Sequence, residues 1–347
     1  MMAVTRETLL AAIPRLRGQR VVVVGDMLLD EYVYGSVARV SREAPVLVLE
    51  HERDATQPGG GAFPALAVRA MGGESVMIGC VGDDATATTL VAALKSAGVD
   101  THGVVVAPDR VTTRKTRFLA EGFFRFPQQV ARVDRGSRAA LTAATEAQLI
   151  AMIAAIPAAD ALLVSDYTYG TINGAVAVAV REAGKRLGAI TTVDSQGSLD
   201  PYRGYTLVRD NRADAAAYLR APLDSVAAVL RALPTMRERL AAENIVVSLA
   251  DEGVVYLDVD DRAGHIPAGR VDVFDVTGAG DTLIVVLTLA LAAGLGMDVA
   301  AHLANLAAGV AVRKLGNATV SADELEHAVM EADDRLFAST IGADRDG

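Results

Sequence analysis

The chain has one cysteine, Cys80, and no tryptophan among its 347 residues. A single thiol rules out an intramolecular disulfide and any zinc site built on cysteine pairs. Cys80 lies in an apolar, strand-like run, where a core position is expected. Aromatic residues make up 4% of the chain, too few for a stacking platform for single strands or glycans. Basic residues number 33 against 43 acidic ones, a net charge of −10. Such a surface repels a phosphate backbone, so no nucleic-acid partner is expected. The longest apolar run, residues 283–294, is too short to span a bilayer. The first twenty residues are amphipathic and charged and do not read as a signal peptide. A cytoplasmic protein with no membrane partner is expected. The GxGxxG fingerprint and the Walker A lysine motif are also missing, which counts against the two commonest nucleotide-binding folds.

The chain is 51% hydrophobic, enough to bury a large core in one large domain or two modest ones. Residues 9–17 read as a short helix. Residues 20–25 read as a buried strand, rich in valine and closed by glycine. Residues 31–57 do not look helical, and short runs at 32–34 and 46–49 suggest a small projecting sheet. Pro58, Gly59, Gly60 and Gly61 then break the chain before a helix over 62–71. Strands are expected at 76–82, 103–106 and 112–120, with an extended pattern over 123–134. Beyond residue 142 strand and helix alternate strictly, and Thr145-x-x-Gln148 fits a capping box. Strand–helix alternation implies right-handed βαβ units and a mostly parallel sheet.

Polar residues stand just after five strand-like runs: Asp26, Asp166, Asp194, Asn211 and Ser248. Ligands bind beyond the carboxyl ends of strands in such sheets, so these residues mark an active-site edge, although each one taken singly could be a structural cap. Residues 114–132 carry Arg114, Lys115, Arg117, Arg125 and Arg132. They form either a solvated face or a contact for an anionic substrate.

Residues 274–296 join these parts. The turn Thr277, Gly278, Ala279, Gly280 runs into Asp281 and a long apolar helix. Glycines at a helix N-terminus let an anion approach unpaired N–H groups, although such turns also occur for structural reasons alone. A carboxylate there can take the proton from a nucleophile that attacks phosphate.

The stretch Asp275-Val276-Thr277-Gly278-Ala279-Gly280-Asp281-Thr282 resembles the C-terminal signature of the ribokinase-like, or PfkB, carbohydrate kinases. Pro58-Gly59-Gly60-Gly61 resembles their N-terminal signature. Within that superfamily the chain is most similar to the D-glycero-β-D-manno-heptose 7-phosphate kinases. That similarity rests on Ser41-Arg42-Glu43-Ala44-Pro45, Thr113-Arg114-Lys115-Thr116-Arg117, Leu163-Val164-Ser165-Asp166-Tyr167 and Lys314-Leu315-Gly316-Asn317. The resemblance implies an α/β fold: a three-layer α/β/α domain over residues 18–330 with a mostly parallel central sheet. A small β-sheet lid would be drawn from 31–57 and 103–133, and a polar tail would occupy 331–347. Many relatives carry a nucleotidyltransferase domain after the kinase, and a stand-alone kinase is expected here.

By the same resemblance Asp281 is the general base, and Gly278, Ala279 and Gly280 form the anion hole. Asp26, Asp30, Gly59, Gly60, Phe63 and Arg117 belong to the sugar site. Asn211 and Asp214 lie near the phosphates and magnesium, and Ser248 and Gly253 flank the nucleotide. Asp275, Thr277 and Gly316 match a loop for a monovalent cation, potassium. The implied ligands are a sugar or sugar phosphate, ATP and Mg2+, with a homodimer formed through the lid. Six positions depart from the family pattern. Phe63 replaces an asparagine, Asp214 a glutamate, Asp210 a proline and Leu249 an arginine. Asp194-Ser195-Gln196 stands where Asp-Pro-Lys is usual. These departures keep two alternatives open: a kinase for another sugar or a nucleoside, and a silent sugar- or nucleotide-binding homologue.

Overall fold

A computed structural model describes residues 4–122, 127–337 and 340–341. The strands are β1 (Arg20–Gly25), β2 (Met27–Val40), β3 (Leu47–Gly60), β4 (Glu74–Val81), β5 (Asp100–Val106), β6 (Thr113–Glu121) and β7 (Gln128–Arg135). They continue with β8 (Ala161–Asp166), β9 (Ile190–Ser195), β10 (Leu207–Asn211), β11 (Asn244–Ser248), β12 (Val254–Leu257), β13 (Ala263–Ile266) and β14 (Thr340–Ile341). The helices are α1 (Arg6–Ala12), α2 (Ala62–Ala70), α3 (Ala85–Ser96), α4 (Ala143–Ala154) and α5 (Gly174–Leu187). After them come α6 (Arg212–Leu219), α7 (Val226–Leu240), α8 (Ala279–Ala292), α9 (Met297–Ala311) and α10 (Ala322–Glu331). No helix among the described residues is long and apolar enough to cross a membrane.

The large sheet runs β14-β13-β12-β11-β10-β9-β8-β1-β4-β5. From β11 to β5 every pairing is parallel, and β12, β13 and β14 add antiparallel at one edge. Side chains alternate across a strand, and β1 shows the consequence. Val21 and Val23 enter the core beneath α1, α2, α8 and α9, while Val22 and Val24 enter the core beneath α4, α5 and α7. Helices therefore cover both faces, as the sequence pattern required.

Strand order reverses at β1, which lies between β8 and β4. The small sheet, β3-β2-β6-β7, is rooted at this switch point, because β2 starts two residues after β1 ends. Its strands are longer than the short runs at 32–34 and 46–49 indicate. Pro58, Gly59 and Gly60 do not break β3 but pair with Leu29, Leu28 and Met27. Proline is tolerated there because β3 is an edge strand. Residues 103–106, grouped with the lid by resemblance, belong to β5 in the large sheet.

Three further expectations change. The cap of α4 is Thr142, not Thr145: its hydroxyl accepts from the Thr145 N–H. The body extends below residue 18, since Leu9, Ile13 and Leu16 are core residues. It also extends beyond 330. Arg6 donates to the Ala332 carbonyl at 2.7 Å and pairs with Asp334 at 2.9 Å, and β14 pairs with β13. Residues 123–126, with Arg125 among them, lie outside the described residues.

Asp26 ties the switch point together. Its carboxylate accepts the backbone N–H groups of Tyr167, Tyr169 and Thr171, each at 2.9 Å. Burial pushes its carboxyl up from the ordinary value, and the Tyr169 and Thr171 N–H groups pull against that. The side chain thus holds the turn after β8 onto the end of β1. Asp26→Ala would leave buried N–H groups unpaired, at an expected cost of about 2–4 kcal/mol. Chemical denaturation of the two proteins measures it, and a loss below about 1 kcal/mol would show that the turn does not depend on this carboxylate.

Candidate active site

Helix α8 begins at Gly278, whose φ of +79° suits a residue without a side chain. The Ala279 N–H turns back to the Val276 carbonyl at 3.3 Å, and the Thr282 N–H closes the first helical bond to Gly278 at 2.9 Å. Gly280 and Asp281 lie between them, in the turn whose N–H groups point out of the helix. The helix from Asp281 to Ala290 is buried throughout, so the N-terminal partial charge is little screened.

Asp281 is almost dry. The Tyr167 hydroxyl donates to its two carboxylate oxygens at 2.9 and 2.8 Å. Burial, then the charge of Asp194, pushes the Asp281 carboxyl up to about 7, while Tyr167 and Arg209 pull it down. Burial, then the charge of Asp281, holds the Tyr167 phenol far above its ordinary range. A carboxylate that titrates near neutrality can both hold and release a proton at working pH.

On the lid side, Asp30 is buried and ion-paired to Arg117, and its other oxygen accepts from Asn317 Nδ2 at 2.5 Å. Gly59 leaves room for this carboxylate: a Cβ there would fall 2.0 Å from Asp30 Oδ2. Gly60 is buried beside Leu28. Lys115 has no ion pair among the described residues. Its ammonium stands 5.2 Å from the Tyr167 ring centre and 5.4 Å from that of Tyr169. Burial lowers the Lys115 ammonium from its ordinary value, and Asp30 opposes that. The Arg138 guanidinium covers Tyr169 at 4.9 Å.

On the other side of Gly280 a cavity of about 960 Å³ opens between the β11–β12 turn, residues 268–276 and α9. Asn211, Ser248, Gly253, Ala279 and Gly280 line it, and its wall is mostly apolar (Leu249, Val254, Leu283). Its volume falls within the usual range for small-molecule sites. Asp214 does not line it; its carboxylate accepts from Asn211 Nδ2 at 2.7 Å, while Asn211 caps α6. Asp275 accepts from the Thr277 N–H at 2.9 Å, the Thr277 hydroxyl at 2.6 Å and the Gly316 N–H at 3.0 Å. The three residues expected to form a cation loop therefore meet at one carboxylate.

Two expected sugar ligands lie elsewhere. Asp26 is committed to the 167–171 turn. Phe63 is fully buried, and its ring packs under the α8 turn, 3.2 Å from where a Gly278 Cβ would stand. Asp166, one of the five strand-end residues, accepts from the Tyr202 hydroxyl at 2.6 Å and from Ser195 Oγ at 2.8 Å, a structural role. Conversely, sequence reasoning gave no role to Tyr167, Asn317 or Arg209. The only signal for Arg209 was a lone charge inside the apolar strand Leu207-Val208-Arg209.

A model of the pfkB family carbohydrate kinases matches residues 19–324. The bifunctional protein HldE of Geotalea uraniireducens (strain Rf4) is 38% identical over 313 residues, 90% of this chain and 63% of that protein. The bifunctional protein HldE of Rhodopseudomonas palustris (strain BisA53) is 38% identical over 333 residues, 94% of this chain and 67% of that protein. The chain thus spans about two thirds of the length of these relatives. Among solved structures, phosphofructokinase-2 from Escherichia coli in complex with potassium superposes with a TM-score of 0.76 at 22% identity, covering 90% of this chain and 98% of that one. Arabidopsis thaliana ribokinase complexed with ribose and ATP gives a TM-score of 0.69 at 17% identity, covering 91% of this chain and 100% of that one. At such identities these structures speak for the fold, and the family match speaks for the chemistry: the chain belongs to the pfkB family of carbohydrate kinases and is a sugar kinase.

Proposed function

We propose that this kinase transfers the terminal phosphoryl of ATP to the anomeric hydroxyl of a heptose 7-phosphate or a similar sugar phosphate. The observation that carries the reading is the position of Asp281. It is a buried carboxylate at a helix mouth, with a cavity of nucleotide size on one side and the lid cations on the other. The acceptor hydroxyl gives its proton to Asp281 as its oxygen bonds to the terminal phosphorus. The bond from that phosphorus to the bridging oxygen breaks, and ADP leaves. The Gly280 and Asp281 N–H groups meet the charge on the transferring phosphoryl. Asp30, held by Arg117 and Asn317, orients sugar hydroxyls. Lys115 and Arg138, flanking Tyr169, suit a second phosphate on the sugar.

The donor groups fit the implied cations unequally. Asn211 and Asp214 are bonded to each other and only Asn211 lines the cavity, so they do not make a magnesium site by themselves. Asp275, Thr277 and Gly316 offer only oxygen ligands, which suits potassium. When bound, magnesium would neutralise phosphate charge. The lid exposes Val40, Val46, Leu47, Val130 and Val133, which supports a homodimer formed through it. Sedimentation should give twice the 36.1 kDa chain mass; a monomer at micromolar concentration would remove the dimer.

An acceptor screen tests the function. Release of ADP from ATP is followed with heptose 7-phosphate, other sugars and sugar phosphates, and nucleosides. Heptose 7-phosphate is expected to turn over, and Asp281→Asn to lower kcat by about 10²–10⁴-fold. Turnover only with another acceptor would redirect the substrate assignment, a reading that Gln196 favours, being exposed where the heptose kinases carry lysine. No turnover with any acceptor would overturn the enzyme reading.

The pH profile follows from the buried base. Only the ionised carboxylate can accept the proton, so kcat/KM should rise with pH through about 7. The Tyr167 hydrogen bonds favour the ionised form, so Tyr167→Phe should move that limb to higher pH. An unmoved limb, or a rise centred near pH 4, the ordinary aspartate range, would separate Asp281 from the titration.

A further inference from the structure

The reading above leaves the phosphates short of a cation. Gln196 and Leu249 stand where the resembling kinases carry lysine and arginine. Leu249 is buried in the apolar core cluster, and the Gln196 backbone N–H is spent on the Asp166 carbonyl at 2.9 Å. The mouth of α8 then faces Asp281 and Asp194, two carboxylates that would repel a triphosphate at close range.

Arg209 stands at that mouth. Parallel pairing of β9 with β10 sets Arg209 level with Asp194, and level side chains on neighbouring strands share a face. That face is covered by α8. The guanidinium lies against Gly280: a Cβ on Gly280 would fall 2.8 Å from Arg209 Nη1 and 3.0 Å from Nη2. Glycine at this position is what lets the cation reach the turn. Arg209 and Gly280 both line the 960 Å³ cavity.

The hydrogen bonds of Arg209 leave capacity unused. Nη1 donates to both oxygens of Asp194 at 2.9 Å, and Nη2 donates to Ser248 Oγ at 2.7 Å. A guanidinium carries five N–H groups, and the buried Nε has no partner. The side chain is only 10% exposed. A buried arginine with unspent donors, pressed against an anion-binding turn, is poorly explained as a strand staple alone. Asp194 holds it in place, and Ser248 fixes the fork from the next strand.

We propose that Arg209 is a catalytic residue that donates to an oxygen of the nucleotide's terminal or penultimate phosphate at the α8 turn. It supplies from β10 the positive charge that Gln196 and Leu249 do not. The proposal rests on the ATP-dependent reading above and adds a residue to it. Asp194 is then a positioning residue. Its charge raises the Asp281 carboxyl and its pairing anchors the cation, so it acts on both partners of the transfer.

The test uses calorimetric binding of ATP, ADP, AMP and adenosine to the full chain and to Arg209→Met and Arg209→Lys, with folding followed by circular dichroism. A charge-assisted hydrogen bond corresponds to about 10–100-fold in affinity. Arg209→Met should lose about that much for ATP and ADP and almost nothing for adenosine. Arg209→Lys keeps the charge without the fork, so it should fold even if Arg209→Met does not, and should show a smaller loss with the same dependence on phosphate. Arg209 as a staple only would lower melting temperature and leave the ATP-to-adenosine ratio unchanged in both variants, which overturns the proposal. A wild-type chain that binds adenosine but no better with added phosphates also overturns it. A wild-type chain that binds no nucleotide at all would instead bring down the ATP-dependent reading, and this proposal with it.

Discussion

The proposed base, Asp281, has to remain ionisable in a place with almost no water, and several contacts around it bear on that constraint. The α8 helix carries it at the start of a fully buried ten-residue stretch, Asp281 to Ala290. Burial alone would keep the carboxyl protonated. The Tyr167 hydroxyl and the Arg209 guanidinium counter it, and Asp194 adds to it, leaving the group near 7. The turn that presents Tyr167 is in turn fixed by Asp26 at the sheet's switch point. Asp26 therefore sets the position of the side chain that touches Asp281.

The two halves of the site differ in how they handle charge. On the lid, Asp30 is matched by Arg117 and Asn317, while Lys115 and Arg138 rest on tyrosine rings, and no carboxylate among the described residues pairs with either. On the side of the 960 Å³ cavity the wall is largely apolar, and charge is concentrated at Arg209, Asp194 and Asp281 beneath the helix mouth. Asp210 is a further strain in this region. It is buried with one oxygen unpartnered, and burial pushes its carboxyl up to about 7.

The parts of this arrangement that follow from short-range pattern were legible in the sequence. The valine run of β1, the βαβ alternation and the glycine turn before Asp281 each specify local backbone, and α8 begins at that turn. What was not legible depends on partners far along the chain. Asp26 and Asp30 look alike after a strand, and only the N–H groups of residues 167–171 decide that Asp26 is structural. Phe63 aligns with a sugar ligand, yet its ring is buried under Gly278, more than two hundred residues away. Pro58 and the following glycines read as a break because nothing local shows that β3 lies at a sheet edge. Arg209 could be noticed as a charge in an apolar strand, but its direction depends on the register of β9 with β10.

The central claim is that one helix mouth, one buried base and the cation behind it form a single phosphoryl-transfer centre. A crystal structure with magnesium and a non-hydrolysable ATP analogue addresses it directly. The account predicts the terminal phosphate within hydrogen-bond distance of the Gly280 and Asp281 N–H groups, the adenine in the 960 Å³ cavity, and the Asp281 carboxylate facing the lid side of that phosphate. A triphosphate bound away from the α8 turn, with Asp281 still closed under Tyr167 and remote from the terminal phosphorus, would contradict it.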